Sequence, residues 1–448
     1  MALIFGNPEI AAFKDWAREH AIQIDPLDGF NGDPEKLSIL DRAIEGKKIA
    51  LIGEQDHFVH QKYDYRTLVA RYLFSHGWRW FGEEMGFSDG LLVDRFLKTG
   101  DQRHLDNVSI YGNRNELRID RNDDPTGILK DGWSSEEFPQ REFNAEQFRF
   151  ARALAQLQYS SPPGRDSIRF FGFDCDALVG RGYRDLEEIL APFEGDELVR
   201  KLRGVLARVP GETRAEEISR LRSSRDLIVA EKPHLEGLVG AENFALLEQS
   251  AFCLAESFAY TEVAYPATTW KELNRGFAIR EQVMHRNMEL IISRADKTQA
   301  GKPVPQKFAL MSHNEHLAKD IFSIKRKGGA GPGGGRVESI GTCLERTMPG
   351  QVFSIWMLCG RGRDSQPLSY MSNEVQSPNG TLNEMLSDIG AAFVLPINEA
   401  DSLPTLLQRE IKFVSNGNVV HRTVITRQTD AIFFVREVTP LRDVAYDL

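Results

Sequence analysis

Gly53-Glu54-Gln55-Asp56-His57 places a carboxylate three residues before an imidazole, directly after the short apolar run Lys48–Gly53 (KIALIG). Neutral histidine is the side chain best suited to take a proton from water near pH 7. A carboxylate beside it can fix its tautomer and stabilise the imidazolium that forms. The same kind of residue ends three more apolar runs. Arg79–Glu83 (RWFGE) leads into Glu84, Ser167–Asp174 (SIRFFGFD) into Asp174 and Asp176, and Lys307–Ser312 (KFALMS) into His313 and His316. Ligands of open parallel sheets sit beyond the carboxyl ends of the strands. Four such ends therefore predict one crevice of acids and imidazoles, suited to hydrolysing an ester. A second histidine or an arginine there would stabilise charge developing on a carbonyl oxygen. His60, His76, His104, His234 and His421 read instead as core or surface residues, each making one hydrogen bond.

The elements that must position these groups follow from periodicity. Residues 8–45 read as two amphipathic helices, and the four runs above as buried strands. Helical spacing over 61–76 and 90–97 makes strand–helix–strand units, hence a parallel pairing. A helix at 144–159 follows, and further strands are expected at 351–358, 391–395 and 431–436. Residues 183–295 are almost entirely helical by pattern, broken at Pro210 and Pro266. The expected fold class is α/β: a central mixed, largely parallel sheet flanked by helices, in a single domain over 1–448 with a helical subdomain at 183–300. Polar, turn-rich residues 99–142 read as an insertion lying over the site.

Composition excludes several classes. Hydrophobic residues make up 41% and charged residues 27% of the 448, which predicts an ordinary packed core. A net charge of −10 argues against nucleic acid, whose phosphates need a basic face. No charged leader, apolar leader or run of about 18 apolar residues is visible, so neither a signal peptide nor a membrane span is expected. Cys175, Cys253, Cys343 and Cys359 are scattered without CxxC spacing, which fits a cytoplasmic, reducing setting. The partner expected for a hydrolytic crevice is a small-molecule substrate.

In order along the chain, these motifs resemble the erythromycin esterase-like family. Its Gly-Glu-x-x-His stands as Gly53, Glu54 and His57, and its arginine nine residues later as Arg66. Its acid-ended strand matches Glu84 after Gly77-Trp78-Arg79, and its Arg-Asp-x-x-Met-x-x-Asn resembles Arg280-Glu281-x-x-Met284-x-x-Asn287. His313-Asn314-Glu315-His316 matches its His-Asn-x-His, and Asp430 to Phe434 its Asp-Ala-x-x-Phe ending. The resemblance implies an α/β fold and hydrolysis of an ester or lactone, in the best-known members a macrolide lactone, by water that a histidine activates. His57 would be the base, Glu54 and Glu84 its supporting carboxylates, and Arg66 and His313 would orient substrate or stabilise the oxyanion. His316, Arg280 and Asn314 would contact substrate. Phe58-Val59-His60 departs from the family's His-Gly-Thr and would alter the pocket beside the base.

Other chemistries compete for the same residues. Gly86-Phe87-Ser88-Asp89-Gly90 is a literal GxSxG between a strand and a helix, the context of a nucleophilic serine. His57/His60 and His313/His316, with Glu54 and Glu84, offer ligands that suit Zn²⁺ or Mn²⁺, although no cofactor is required by the esterase reading. A non-catalytic binding protein of a polysaccharide or natural-product pathway would use the same crevice. The glycine-rich stretch 325–336 holds a formal GxGxxG but lacks the strand and helix a dinucleotide site needs, and reads as a loop. Phe258, Tyr260, Tyr265, Trp270 and Phe277 read first as core, and alternatively as the wall of an apolar pocket.

Overall fold

The computed structural model describes residues 8–106, 108, 140–160, 167–175, 181–207, 209, 211–264, 266–297, 306–326, 337–365, 373–398, 403–415 and 419–442. Most of the expected insertion, the glycine-rich stretch from 327, Tyr265 and Asp176 lie outside them, as does the side chain of Trp270.

The strands, in chain order, are β1 (Ile22–Gln23), β2 (Ile49–Glu54), β3 (Trp80–Gly86), β4 (Arg169–Asp174), β5 (Phe308–His313) and β6 (Lys325–Arg326). They continue with β7 (Val352–Arg363), β8 (Glu374–Val375), β9 (Ala392–Pro396), β10 (Ile411–Ser415), β11 (Val419–Thr423) and β12 (Ala431–Val438). Nine of them form one mixed sheet in the order β1-β9-β12-β7-β2-β5-β3-β4, with β8 on β7. β2 runs parallel to both β5 and β7, and β12 parallel to β7, while β9 and β1 run antiparallel at one edge. The fold is α/β, as the periodicity predicts. Every apolar run read as a strand is one, because a strand covered on both faces is apolar along most of its length. All six residues of β2 are buried.

Two features differ from expectation. After the helix Pro8–His20, the second helix expected before residue 45 is replaced by β1, a 3₁₀ turn at Pro34–Leu40 and a single turn at Asp41–Ile44. Pro26 and Pro34, with Gly29 and Gly32 between, break the helical ladder. Asp33 instead caps the 3₁₀ turn, accepting from the Glu35 N–H. Second, β10, β11 and β6 form a small antiparallel sheet that periodicity did not indicate. Its available signal was Asn416-Gly417 between two β-branched runs, a hairpin dipeptide.

The chain packs as two compact units, 1–82 with 128–169 and 299–448, and 83–127 with 170–298. The first has a core of sheet residues such as Trp356, Phe393, Leu395 and Phe434 packed with Phe13 and Phe413. The second holds the helices Arg181–Leu190, Glu197–Leu206, Arg214–Ala230, Lys232–Val239, Ala241–Ala264 and Trp270–Lys297. Phe252, Phe258 and Tyr260 are buried in its cores and Phe277 packs against one, so these aromatics are core.

Candidate active site

Glu54 ends β2, and its register partner across the sheet is His313, which ends β5. Glycine precedes it for a steric reason. A Cβ on Gly53 would lie 2.3 Å from Asn314 Oδ1 and 2.7 Å from Trp356 Cδ1. Asn314 is itself fully buried and donates to the Met357 carbonyl at 3.2 Å, so this predicted substrate contact is a strut between β5 and β7.

The Glu54 side chain is fully buried and faces two cations and an imidazole. Arg66 reaches Oε2 at 2.6 Å, Lys62 stands 3.6 Å from Oε1, and His57 Nδ1 lies 2.7 Å from the same oxygen. Lys62 and Arg66 are four residues apart on the helix His60–Ser75, so they share one face. Burial alone would raise the Glu54 carboxyl, but Arg66, Lys62 and His57 outweigh it and hold it at about 2. An ionised carboxylate only accepts, so the hydrogen between them sits on His57 Nδ1. Nε2 of the neutral ring then carries the lone pair, the arrangement a general base requires. The His57 side chain is 22% exposed, whereas Glu54, Lys62 and Arg66 are at most 3% exposed.

The turn presenting His57 is tied at both ends. Asp56 Oδ1 accepts from the Phe58 N–H at 2.9 Å, the Phe58 carbonyl accepts from the Ser365 N–H at 3.0 Å, and the His60 N–H donates to the Thr439 carbonyl at 3.0 Å. Burial, with Asp364 nearby, pushes the Asp56 carboxyl well above the usual carboxylate range. Phe58 and Val59 are buried, and the Phe58 ring meets His57 edge-on at 6.0 Å.

His313 lies with its ring 5.4 Å from that of His57. Its Nδ1 accepts from the Glu315 N–H at 3.3 Å and its Nε2 donates to the Gln55 carbonyl at 3.0 Å, with Ser415 Oγ 3.4 Å away. Gln55 is a buried knot: Oε1 accepts from the Cys359 N–H and from Asn383 Nδ2, each at 2.8 Å. His316 is partly exposed in the turn beyond β5. The paired histidines diverge, since His57 turns to Glu54 while His60 Nδ1 bonds Glu146 and its Nε2 lies 3.4 Å from Asp64. His421 is also more than a lone core residue, with Nε2 3.2 Å from Glu315 Oε1. Lys62, Gln55, Asn383, Ser415 and the Glu315–His421 pair escaped the sequence reading. Only Lys62 had a local signal there, its four-residue spacing from Arg66.

In the second unit, Glu84 and Asp174 are joined by Arg280. Its Nε lies 2.9 and 3.1 Å from the two Asp174 oxygens, and its NH2 2.5 Å from Glu84. Burial would lower the guanidinium's pKa, but Asp174 and Glu84 outweigh it and raise it further. Asn287, two turns along the same helix, donates to the Phe173 and Asp174 carbonyls at 3.1 and 3.3 Å. The Arg-x-x-x-Met-x-x-Asn spacing is thus a clamp on the end of β4, and Arg280 serves carboxylates.

The GxSxG stretch has a packing explanation. Ser88 is fully buried in the first turn of the helix Phe87–Thr99. A Cβ on Gly90 would lie 1.7 Å from Gly172 N, and one on Gly172 2.0 Å from the Gly86 carbonyl. These glycines let helix and strand touch backbone to backbone.

Fold and site define an α/β protein with a histidine–glutamate pair at the carboxyl edge of its sheet. Residues 74–438 match the erythromycin esterase family, and the chain belongs to that family. Membership supports an esterase-type hydrolase acting on a small molecule. Among solved structures, the fold is shared with a Bacillus cereus protein at TM-score 0.68 and 14% identity, covering 97% of this chain and 99% of that one. A succinoglycan biosynthesis protein gives 0.68 and 14%, covering 98% and 100%. A histidine-to-asparagine mutant of the erythromycin esterase EreC, in its open conformation, gives 0.63 and 16%, covering 94% and 98%. At such identities the likeness concerns fold alone. No curated protein matches the sequence significantly. Among the described residues no helix is long and apolar enough to cross a membrane.

Proposed function

We propose that this protein hydrolyses an ester or lactone bond of a small molecule by direct attack of water, with His57 as general base. The observation that carries this reading is the 2.7 Å bond between His57 Nδ1 and a Glu54 held as a carboxylate. Water would attack the carbonyl carbon while its proton passes to His57 Nε2. Glu54 stabilises the resulting imidazolium, and collapse of the tetrahedral intermediate returns that proton to the departing alkoxide. Arg66 and Lys62 act through Glu54 and are positioning residues. So is His313, which pins the Gln55 carbonyl at the base of the turn. The partly exposed His316 is the proposed substrate contact. A macrolide lactone is one candidate substrate, on the strength of the family.

The reading is tested on the purified protein with a panel of aryl esters and macrolide lactones in ¹⁸O water. His57→Ala should lower kcat by about 10²- to 10⁴-fold with little change in KM. A single turnover should place ¹⁸O in the acid product, with no mass adduct on the protein. A trapped acyl-enzyme would sink direct attack, and binding of these compounds without turnover would favour a binding protein.

A further inference from the structure

A cavity of about 420 Å³ opens beside the first turn of the helix that begins at His60, and neither Glu54 nor His57 lines it. Its wall includes His60, Gln61 and Asp64 from that helix, Arg436, Glu437 and Arg442 from the chain around the end of β12, and Asp25. Most of its acids are already engaged. Asp64 faces His60 Nε2 at 3.4 Å, accepts from the Gly29 N–H at 3.3 Å, and lies 3.9 Å from Arg149. Glu437 pairs with Arg361 at 2.5 Å. The exposed Asp25 is the remaining carboxylate.

The two arginines are in the opposite position. Among the described residues neither guanidinium stands within ion-pair distance of a carboxylate, although Arg436 helps Arg361 hold the Glu437 pKa down. The Arg442 guanidinium donates to the Thr439 hydroxyl at 3.1 Å, while its backbone N–H donates to Glu146 Oε1 at 3.3 Å. Nε of Arg436 is buried and has no acceptor among the described residues. The helix adds to the positive field, since Val59 provides no side-chain cap and the first turn carries no acid. Leu27, Ala391, Ala392 and Val435 supply the apolar part of the wall. Two guanidiniums, one of them with a buried Nε that lacks an acceptor among the described residues, beside a helix N-terminus have the chemistry of an anion site.

We propose that this cavity binds the carboxylate or phosphate group of a small molecule between Arg436 and Arg442, with Asp25 able to accept from a hydroxyl or ammonium of the same ligand. The site is independent of the esterase reading and is tested without any activity measurement.

Thermal unfolding of the full-length protein would be followed against inorganic phosphate in one arm and acetate in another, at constant ionic strength set with chloride. At a hundredfold excess over Kd, a chain of this size should gain about 3 °C in Tm, and the rise should saturate. The arm that saturates identifies the anion class. Arg436→Gln/Arg442→Gln should unfold at the wild-type midpoint without anion and lose the rise. Should that variant be destabilised, Arg436→Lys/Arg442→Lys decides: keeping at least about half the rise supports the site, and losing it overturns it. A flat response in both arms, or an unchanged rise in the glutamine variant, also overturns it.

Discussion

Glu54 is one negative charge facing two permanent cations, and its protonation decides whether that cluster holds together. Its folded-state pKa of about 2 lies below the ordinary 4.5, so the folded state favours the carboxylate. The stabilisation is therefore complete above the unfolded value and is lost as pH falls from about 4.5 towards 2. Glu54→Gln leaves Arg66 and Lys62 buried without their counter-ion, which should cost about 3–5 kcal/mol at neutral pH. Urea unfolding at about pH 6, 4 and 3 should show the gap between wild type and variant narrowing as pH falls. A gap independent of pH would remove Glu54 as the buried anion. The variant should also lose turnover, because an amide oxygen holds the Nδ1 hydrogen but no longer stabilises the imidazolium.

At the scale of elements, the close contact of the helix Phe87–Thr99 with β4 rests on glycines whose neighbours are backbone atoms and cannot give way. Gly90→Ala should therefore destabilise the protein by about 3 kcal/mol or more, read by chemical unfolding. Ser88→Ala should leave esterase turnover within about twofold of wild type, since a buried serine in a packed first turn is not placed to attack substrate. A complete loss of activity with the fold intact would restore the serine mechanism. The helix Trp270–Lys297 makes a second element-scale prediction. Arg280→Met leaves Glu84 and Asp174 uncompensated and should lower stability by about 3–5 kcal/mol in the same measurement. Asn287 holds the same strand end through its backbone, which is why one helix carries both residues two turns apart.

For the molecule as a whole, the charge arrangement bears on the metal alternative. Glu54 already carries Arg66 and Lys62, and a divalent ion brought to it would meet two like charges. His60 is turned away to Glu146 and Asp64. Exhaustive dialysis against a chelator should then leave kcat within about twofold, and a loss restored by Zn²⁺ or Mn²⁺ would overturn this view.

Much of this protein was legible in its sequence because much of it is local. Short apolar runs bounded by charged or turn residues fit strands covered on both faces, so the central strands and the chemistry at their ends could be read from residue order. The Glu54–His57 pair needs only a turn of three residues, and Arg66 only a helix of the right phase. What the order of residues could not decide is which distant groups each side chain meets. Gln55 finds Asn383 and His313 finds Ser415, more than a hundred positions away. Residue order suggests Glu84 as a partner for His57, whereas in the fold Arg280 holds its carboxylate. Residue order suggests one hydrogen bond for His60, and the packed helix Gln140–Tyr159 supplies Glu146, 86 residues later. Such pairings are set by how sheets and helices are stacked, and a buried charge takes whichever counter-ion that stacking brings within reach.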